Sequence, residues 1–574
     1  MSGMYDTLSE PLRGEVARAA AAWDAAGNTE RLWRRDATVW TGADEAQWLG
    51  WLNAPADAAA SIDQLRAFAD DIQRDRFTDV LLLGMGGSSL CPEVLAESFG
   101  VHAGWPRLHV LDSTDPDQVR SVEQGVTLSR TLVVVASKSG STLEPNIFHA
   151  YFRDRMVAAV GGAETGSHFV AITDPGSRLE AVAAREGFRK TFAGVPSIGG
   201  RYSALSAFGL VPAALIGVDL RRWVDAARGM AARCGPEHTA ADNPGVALGL
   251  ALGTAATQGI DKLTLVVSPR IYDLGAWLEQ LIAESTGKRG KAVIPVDREP
   301  LAPPSAYGAD RLFAYIRLES AHDDAQDAAV EALVSAGRPV LRVDVEDLYG
   351  LAAEFFRWEM ATAVAGAVMK INPFDQPDVE ASKTATRKLT ADVERTGKLP
   401  AETPALIDAG VQLYTDAKNT AYLAEAASGS TAAAWLAAHL DRLQPGDYFA
   451  LLAYLPMTPE HESVLTRMRT RVRDARHVAT CVGFGPRFLH STGQAYKGGP
   501  NTGVFLQLTC DPAADLPVPG ASYTFGTVKA AQARGDFQVL VDRDRRALRV
   551  HMGADVVAGL ETLDAMFAAA LTVR

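Results

Sequence analysis

The sequence predicts an α/β architecture of doubly wound parallel sheets, and three observations carry that prediction. Short Leu-rich or β-branched runs alternate with helical stretches from Phe77 onward, the mark of βαβ units with buried parallel strands. Two of those runs open directly into loops rich in glycine and hydroxyl side chains, residues 84–89 and 137–142, where open α/β sheets bind ligands. The composition is globular, with 47% hydrophobic and 22% charged residues over 574 positions and mean hydropathy near zero, enough apolar side chain for several cores.

Residues 1–52 read as a helical amino-terminal arm, Ala-rich and then Trp-rich, with Trp40, Trp48 and Trp51 expected to pack. Residues 53–219 form the first α/β domain, with strands expected at 78–84, 107–112, 131–137 and 168–173. Residues 220–400 form the second, with a helix at 243–257, strands at 262–268, 311–318 and 338–345, and a long helix at 349–370. A Pro-containing polar stretch, INPFDQPDVEASK, follows it, and a softer segment lies around 390–410. Residues 401–574 read as a further α/β extension: a helix at 430–441, strands at 447–455, 476–484, 502–508 and 536–542, and a Gly-rich loop between the second and third of these.

The charge balance, 56 basic against 69 acidic residues, leaves −13. Such a field opposes non-specific binding to nucleic acid or an anionic membrane, so an anionic ligand must be held by a local site. The four cysteines show no CxxC pair, which suggests neither a disulfide framework nor a zinc site and fits a reducing cytoplasm. No signal-peptide pattern and no long uncharged apolar run is present. The eleven histidines are dispersed, without HExxH, so no metal is expected. GxxxxGK[ST], GxGxxG and GxSxG are also missing, which disfavours a P-loop, a dinucleotide site and a serine hydrolase.

The loops Gly84-Met85-Gly86-Gly87-Ser88-Ser89 and Ser137-Lys138-Ser139-Gly140-Ser141-Thr142 together suit a small phosphate ester. Glycine lets the backbone approach an anion, hydroxyls donate to it, and each following helix offers free N–H groups. A third stretch, SIGGRYSALSAFG from Ser197, places two glycines before Arg201, so that a guanidinium can project over the ligand and stabilise developing negative charge.

GMGGSS, SKSGSTLE and SIGGRYSALSAFG, in this order, resemble the phosphoglucose isomerase family, which is built from two sugar-isomerase (SIS) domains. Two further blocks match: EQLIAESTGK, residues 279–288, resembles the family's catalytic-glutamate segment, and NPFDQPDVEASK, residues 372–383, its carboxy-terminal lysine segment. The resemblance covers roughly residues 50–390 and implies two doubly wound SIS domains. It implies phosphate binding by Ser137, Ser139 and Thr142, sugar contacts from Gly87, Ser88 and Gln280, Gly200 and Arg201 at the reacting carbons, and Glu284 as the base. The family's histidine is missing from its usual place after the glutamate. The string LHSTGQ, residues 489–494, resembles that segment far downstream, making His490 the candidate, with Tyr307 expected where the family's histidine would stand. The layout is similar to the isomerase portion of bifunctional transaldolase/phosphoglucose isomerase proteins. A transaldolase barrel would have to precede the arm, so the expectation is a stand-alone relative or one half of a fusion with transaldolase as partner.

The implied reaction is the interconversion of glucose 6-phosphate and fructose 6-phosphate. It needs no cofactor, because one carboxylate can carry a proton between C2 and C1 through a cis-enediol. Glu284 would do this, Arg201 would stabilise the enediolate oxygen, and His490 and Lys383 would move protons at the ring oxygen and O1. Without the resemblance, Glu284 reads as a solvated helical glutamate and Lys383 as a surface lysine. The rival readings are a non-catalytic SIS-type sugar-phosphate sensor and an isomerase for another hexose phosphate such as mannose 6-phosphate. Either a monomer or a homodimer is consistent with a histidine supplied by the chain's own third region.

Overall fold

In the computed structural model, residues 5 and 7–572 are described, and the remainder of the expected arm's first residues lie outside them. Helices Glu10–Ala25 and Asn28–Trp33 and a series of short 3-10 turns form the arm. They bury Trp23, Leu32, Trp40 and Trp51 in the same core as the first two α/β units. Trp40 Nε1 donates to the Ala363 carbonyl at 2.7 Å, which ties the arm to the long helix Gly350–Met369.

Strands β1 (Asp79–Leu83), β2 (Arg107–Leu111), β3 (Thr131–Ala136), β4 (Phe169–Thr173) and β5 (Lys190–Ala193) form a parallel sheet in the order β2-β1-β3-β4-β5. Leu83 pairs with Leu111 on one side and Val135 on the other. The loops after β1 and β3 therefore leave the sheet side by side at its topological switch, the place for a ligand in such a sheet. The second sheet has β6 (Lys262–Val267), β7 (Ile294–Val296), β8 (Arg311–Leu318) and β9 (Val340–Val345), parallel in the order β7-β6-β8-β9.

The carboxy-terminal region is more regular than an extension. After the hairpin β10 (Leu406–Asp408) and β11 (Val411–Tyr414) come β12 (Tyr448–Tyr454), β13 (Ala479–Phe484), β14 (Gly503–Cys510) and β15 (Arg546–Met552). The last four are parallel in the order β13-β12-β14-β15, and the hairpin adds antiparallel at β15. The parallel strands of all three sheets thus begin with the same winding, first strand inside, second outside, third on the other flank. In the second unit the crossover from β7 to β8 holds only the 3-10 turn Pro304–Ala306, whereas β13 to β14 carries the turn Arg487–His490 and the helix Gly493–Gly498.

One expected strand is corrected. The run DFQVLVD, read as a strand at 536–542, closes the helix Phe525–Asp542, capped where the Thr524 side chain accepts from the Thr527 N–H. That helix buries Phe525 and Val528 against the first sheet's core and Ala533, Phe537 and Leu540 in another core with β12 and β14 residues. A helix buried on two sides shows no clean polar face, so its apolar run mimics a strand. The strand of this region is RALRVHM, β15. Among the described residues no helix is long and apolar enough to cross a membrane.

Candidate active site

The loop 137–142 turns from β3 into the helix Leu143–Val160. The Ser137 hydroxyl is buried 3.5 Å from that of Thr142, and Thr142, at the helix N-cap, makes no side-chain capping bond. Its hydroxyl and the first N–H groups of the helix are therefore disposed toward an anion. Lys138 turns aside to Asp174 and to the Pro196 carbonyl. The β1 loop presses against the Gly200 turn: a Cβ on Gly87 would lie 1.9 Å from the Gly200 carbonyl oxygen, and one on Gly86, whose φ is +55°, would lie 2.7 Å from Gln280 Nε2. Only glycine fits that approach.

Arg201 rises from the 3-10 turn Gly200–Tyr202 and is buried. Its Nε donates to Ser285 Oγ at 2.8 Å, Nη1 to Gln376 Oε1 at 3.0 Å, and Nη2 to the carbonyls of Pro373 at 2.7 Å and Asp375 at 3.1 Å. Nη1 also lies 3.1 Å from Glu284 Oε1. Gln280 and Glu284 stand four residues apart on the helix Leu274–Thr286 and so share a face. Gln280 Nε2 donates to Glu284 Oε2 at 3.1 Å and to the His490 carbonyl at 2.7 Å.

His490 arrives from the third sheet, and its Nε2 is 3.0 Å from Glu144 Oε1. Burial pushes the Glu144 carboxyl upward, but the charge and hydrogen bond of His490 outweigh it and hold the group below the usual range. Lys383, half exposed at the rim on the helix Pro377–Thr396, pairs with Glu380 at 2.8 Å. Behind Arg201, the buried Lys288 donates to the carbonyls of Ser285 at 3.0 Å and Asn372 at 2.8 Å. Burial, then the Arg201 charge, pull its ammonium down from 10.5 to about 7.

One cleft of about 340 Å³ is lined by Gly87, Ser88, Ser137, Ser139, Thr142, Gly200, Arg201, Gln280, Glu284, Lys383 and His490 together. Tyr307 does not reach it. Its ring packs on Phe313 at 5.0 Å and its hydroxyl accepts from the Ala302 N–H at 2.8 Å, in a separate core under β8. Sequence reasoning missed Glu144, although it ends the SKSGSTLE string, and also Gln376 and Trp48, which line the same cleft. Elsewhere, His322, Asp324 and Asp327 bring potential ligand atoms within 4.8 Å of one another, but Asp327 is already held by Arg317 and Tyr315.

A family model described as phosphoglucose isomerase matches residues 54–295. A glucose-6-phosphate isomerase of Citrifermentans bemidjiense is 31% identical over 409 residues, covering 60% of this chain and 75% of that protein. One from Rubrobacter xylanophilus is 31% identical over 372 residues, covering 55% and 84%. Among solved structures, a hypothetical protein from Thermus thermophilus superposes with a TM-score of 0.58 at 26% identity, over 66% of this chain and 98% of the other. A glucose-6-phosphate isomerase from Chlamydia trachomatis gives 0.57 at 20% identity, over 68% and 88%, a likeness of fold.

Proposed function

The chain belongs to the phosphoglucose isomerase family, and from that premise we propose that it interconverts glucose 6-phosphate and fructose 6-phosphate through a cis-enediol with Glu284 as the base. The observation that carries this reading is the Glu284 carboxylate, held by Arg201 and Gln280 in the same cleft as the Ser137–Thr142 hydroxyls. Ser137, Ser139, Thr142 and the helix behind them bind the phosphate, while Gly87 and Ser88 line the sugar. His490, with Glu144 behind it, and Lys383 move protons at the ring oxygen and O1 as the C1–O5 bond opens. Glu284 then takes the C2 proton and returns it at C1, and the positive charge of Arg201, whose N–H groups are held by protein acceptors, stabilises the negative oxygen of the enediolate.

A sensor of sugar phosphates would need the hydroxyl loop but no carboxylate poised by a guanidinium, so the isomerase reading is favoured. Every group invoked comes from one chain. The described cysteines, Cys91, Cys234, Cys481 and Cys510, are buried and free, which supports a reducing, cytoplasmic setting. The test is turnover of fructose 6-phosphate by purified protein in EDTA, coupled to a dehydrogenase, with wild type and Glu284→Gln side by side. Metal-independent turnover lost in the variant supports the reading; an inactive wild type that still binds the sugar phosphate overturns it in favour of a sensor or another substrate.

A further inference from the structure

The third α/β unit contributes more to the cleft than His490. Its helix Phe525–Asp542 lies against the first unit, and three of its cross-unit contacts run in a buried line. Lys529 Nζ pairs with Asp115 at 2.7 Å. Thr114 Oγ1 donates to Gln532 Oε1 at 2.6 Å. Gln532 Nε2 donates to Glu144 Oε1 at 2.6 Å, the oxygen that also accepts from His490. Thr114 is 0% exposed, Gln532 1% and Glu144 5%.

The Glu144 carboxylate, which can only accept, decides which way the Gln532 amide faces. The NH2 group must point at Glu144, the carboxamide oxygen is thereby turned to Thr114, and the Thr114 hydroxyl satisfies it by donating in a place closed to water. Glu144 is thereby fixed by donors from both sides, one from the helix and one from the His490 ring, whose second nitrogen is left for the cleft.

We infer that Gln532 is a positioning residue for ring opening: it holds the Glu144 carboxylate in the rotamer that aligns the His490 imidazole, and Thr114 anchors the Gln532 carboxamide oxygen for that task. The inference rests on the proposed isomerase activity and on His490 acting at the sugar ring. Losing the Gln532 donor leaves a buried carboxylate short of one partner and free to turn, so the effect falls on the ring-opening step and not on phosphate binding.

The test uses the full chain, with anomer interconversion of glucose 6-phosphate followed by NMR exchange and isomerisation of fructose 6-phosphate followed by the coupled assay. Gln532→Leu is expected to lower both rates by about 10- to 100-fold, the scale of one buried hydrogen bond left unmade to a charged group, with KM for fructose 6-phosphate within about threefold, as expected when uniform substrate binding is intact. Glu284→Gln is expected to lower isomerisation alone. Thr114→Val, which leaves Glu144 and Gln532 in place, should shift both rates in the same direction by a smaller factor and serves if Gln532→Leu fails to fold. Wild-type anomer interconversion in folded Gln532→Leu, or in Thr114→Val when only the latter folds, overturns the inference. Wild-type anomer interconversion in His490→Ala overturns the histidine's role and the inference with it, and a wild type without isomerase activity overturns the parent reading.

Discussion

Arg201 and Glu284 form a buried ion pair across two units of the fold, Nη1 to Oε1 at 3.1 Å. The arginine keeps four further acceptors, all of them in the second unit, so it is fixed before a substrate arrives. A base that shuttles one proton between adjacent carbons needs such fixing, since a small misplacement of the carboxylate changes the approach to both.

Glu284→Gln is therefore expected to lower kcat by about 10²- to 10⁴-fold, the usual contribution of general acid–base catalysis. The neutral amide keeps the shape of the carboxylate, so KM for fructose 6-phosphate should change little. Steady-state kinetics in EDTA checks this, and a variant within about tenfold of wild type, short of that scale, rules out Glu284 as the base.

Arg201→Met should cost stability as well as rate. It leaves the Glu284 charge with the Gln280 amide alone and takes the guanidinium from Ser285, Gln376 and two carbonyls, and breaking a buried charge pair from one side costs about 3–5 kcal/mol. Chemical denaturation should show a lower midpoint for Arg201→Met than for Glu284→Gln. Equal midpoints would mean that the guanidinium does not hold these segments together.

The phosphate loop should show the opposite kinetic pattern. Removing hydroxyls in Ser137→Ala and Thr142→Val takes away binding shared by ground state and transition state, which raises KM with kcat nearly unchanged. Each lost hydrogen bond to a charged phosphate corresponds to about 1.5–3 kcal/mol, or roughly 10- to 150-fold in kcat/KM. A kcat loss at constant KM would move these residues out of the phosphate site.

Lys288 makes stability depend on pH with a definite sign. Its ammonium titrates near 7 in the folded protein against an ordinary 10.5, so between those values the unfolded chain binds more protons than the native one, and this group makes stability rise with pH. The penalty for burying the charge is full below pH 7 and fades toward 10.5. The difference in unfolding free energy between wild type and Lys288→Met should accordingly increase in favour of wild type from pH 7 to pH 9, measured by denaturant titration. A flat or falling difference contradicts it.

The sequence by itself determined the parallel α/β units, the two hydroxyl and glycine loops and the Gly200–Arg201 turn, because each of these is a local event: a strand, the turn that ends it and the helix that follows lie within a few residues; Gln280 and Glu284 stood out only through the resemblance of EQLIAESTGK to the family's segment. It also contained the LHSTGQ string but not its location, and it misread the helix Phe525–Asp542 as ending in a strand. Only the tertiary structure decided that a third sheet with the same winding carries His490 to Glu144 over a separation of 346 residues and Gln532 to the same carboxylate over 388. Those pairings depend on how whole sheets dock, with the apolar face of one helix shared between two cores, and no periodicity along the chain encodes which buried donor will meet which buried acceptor.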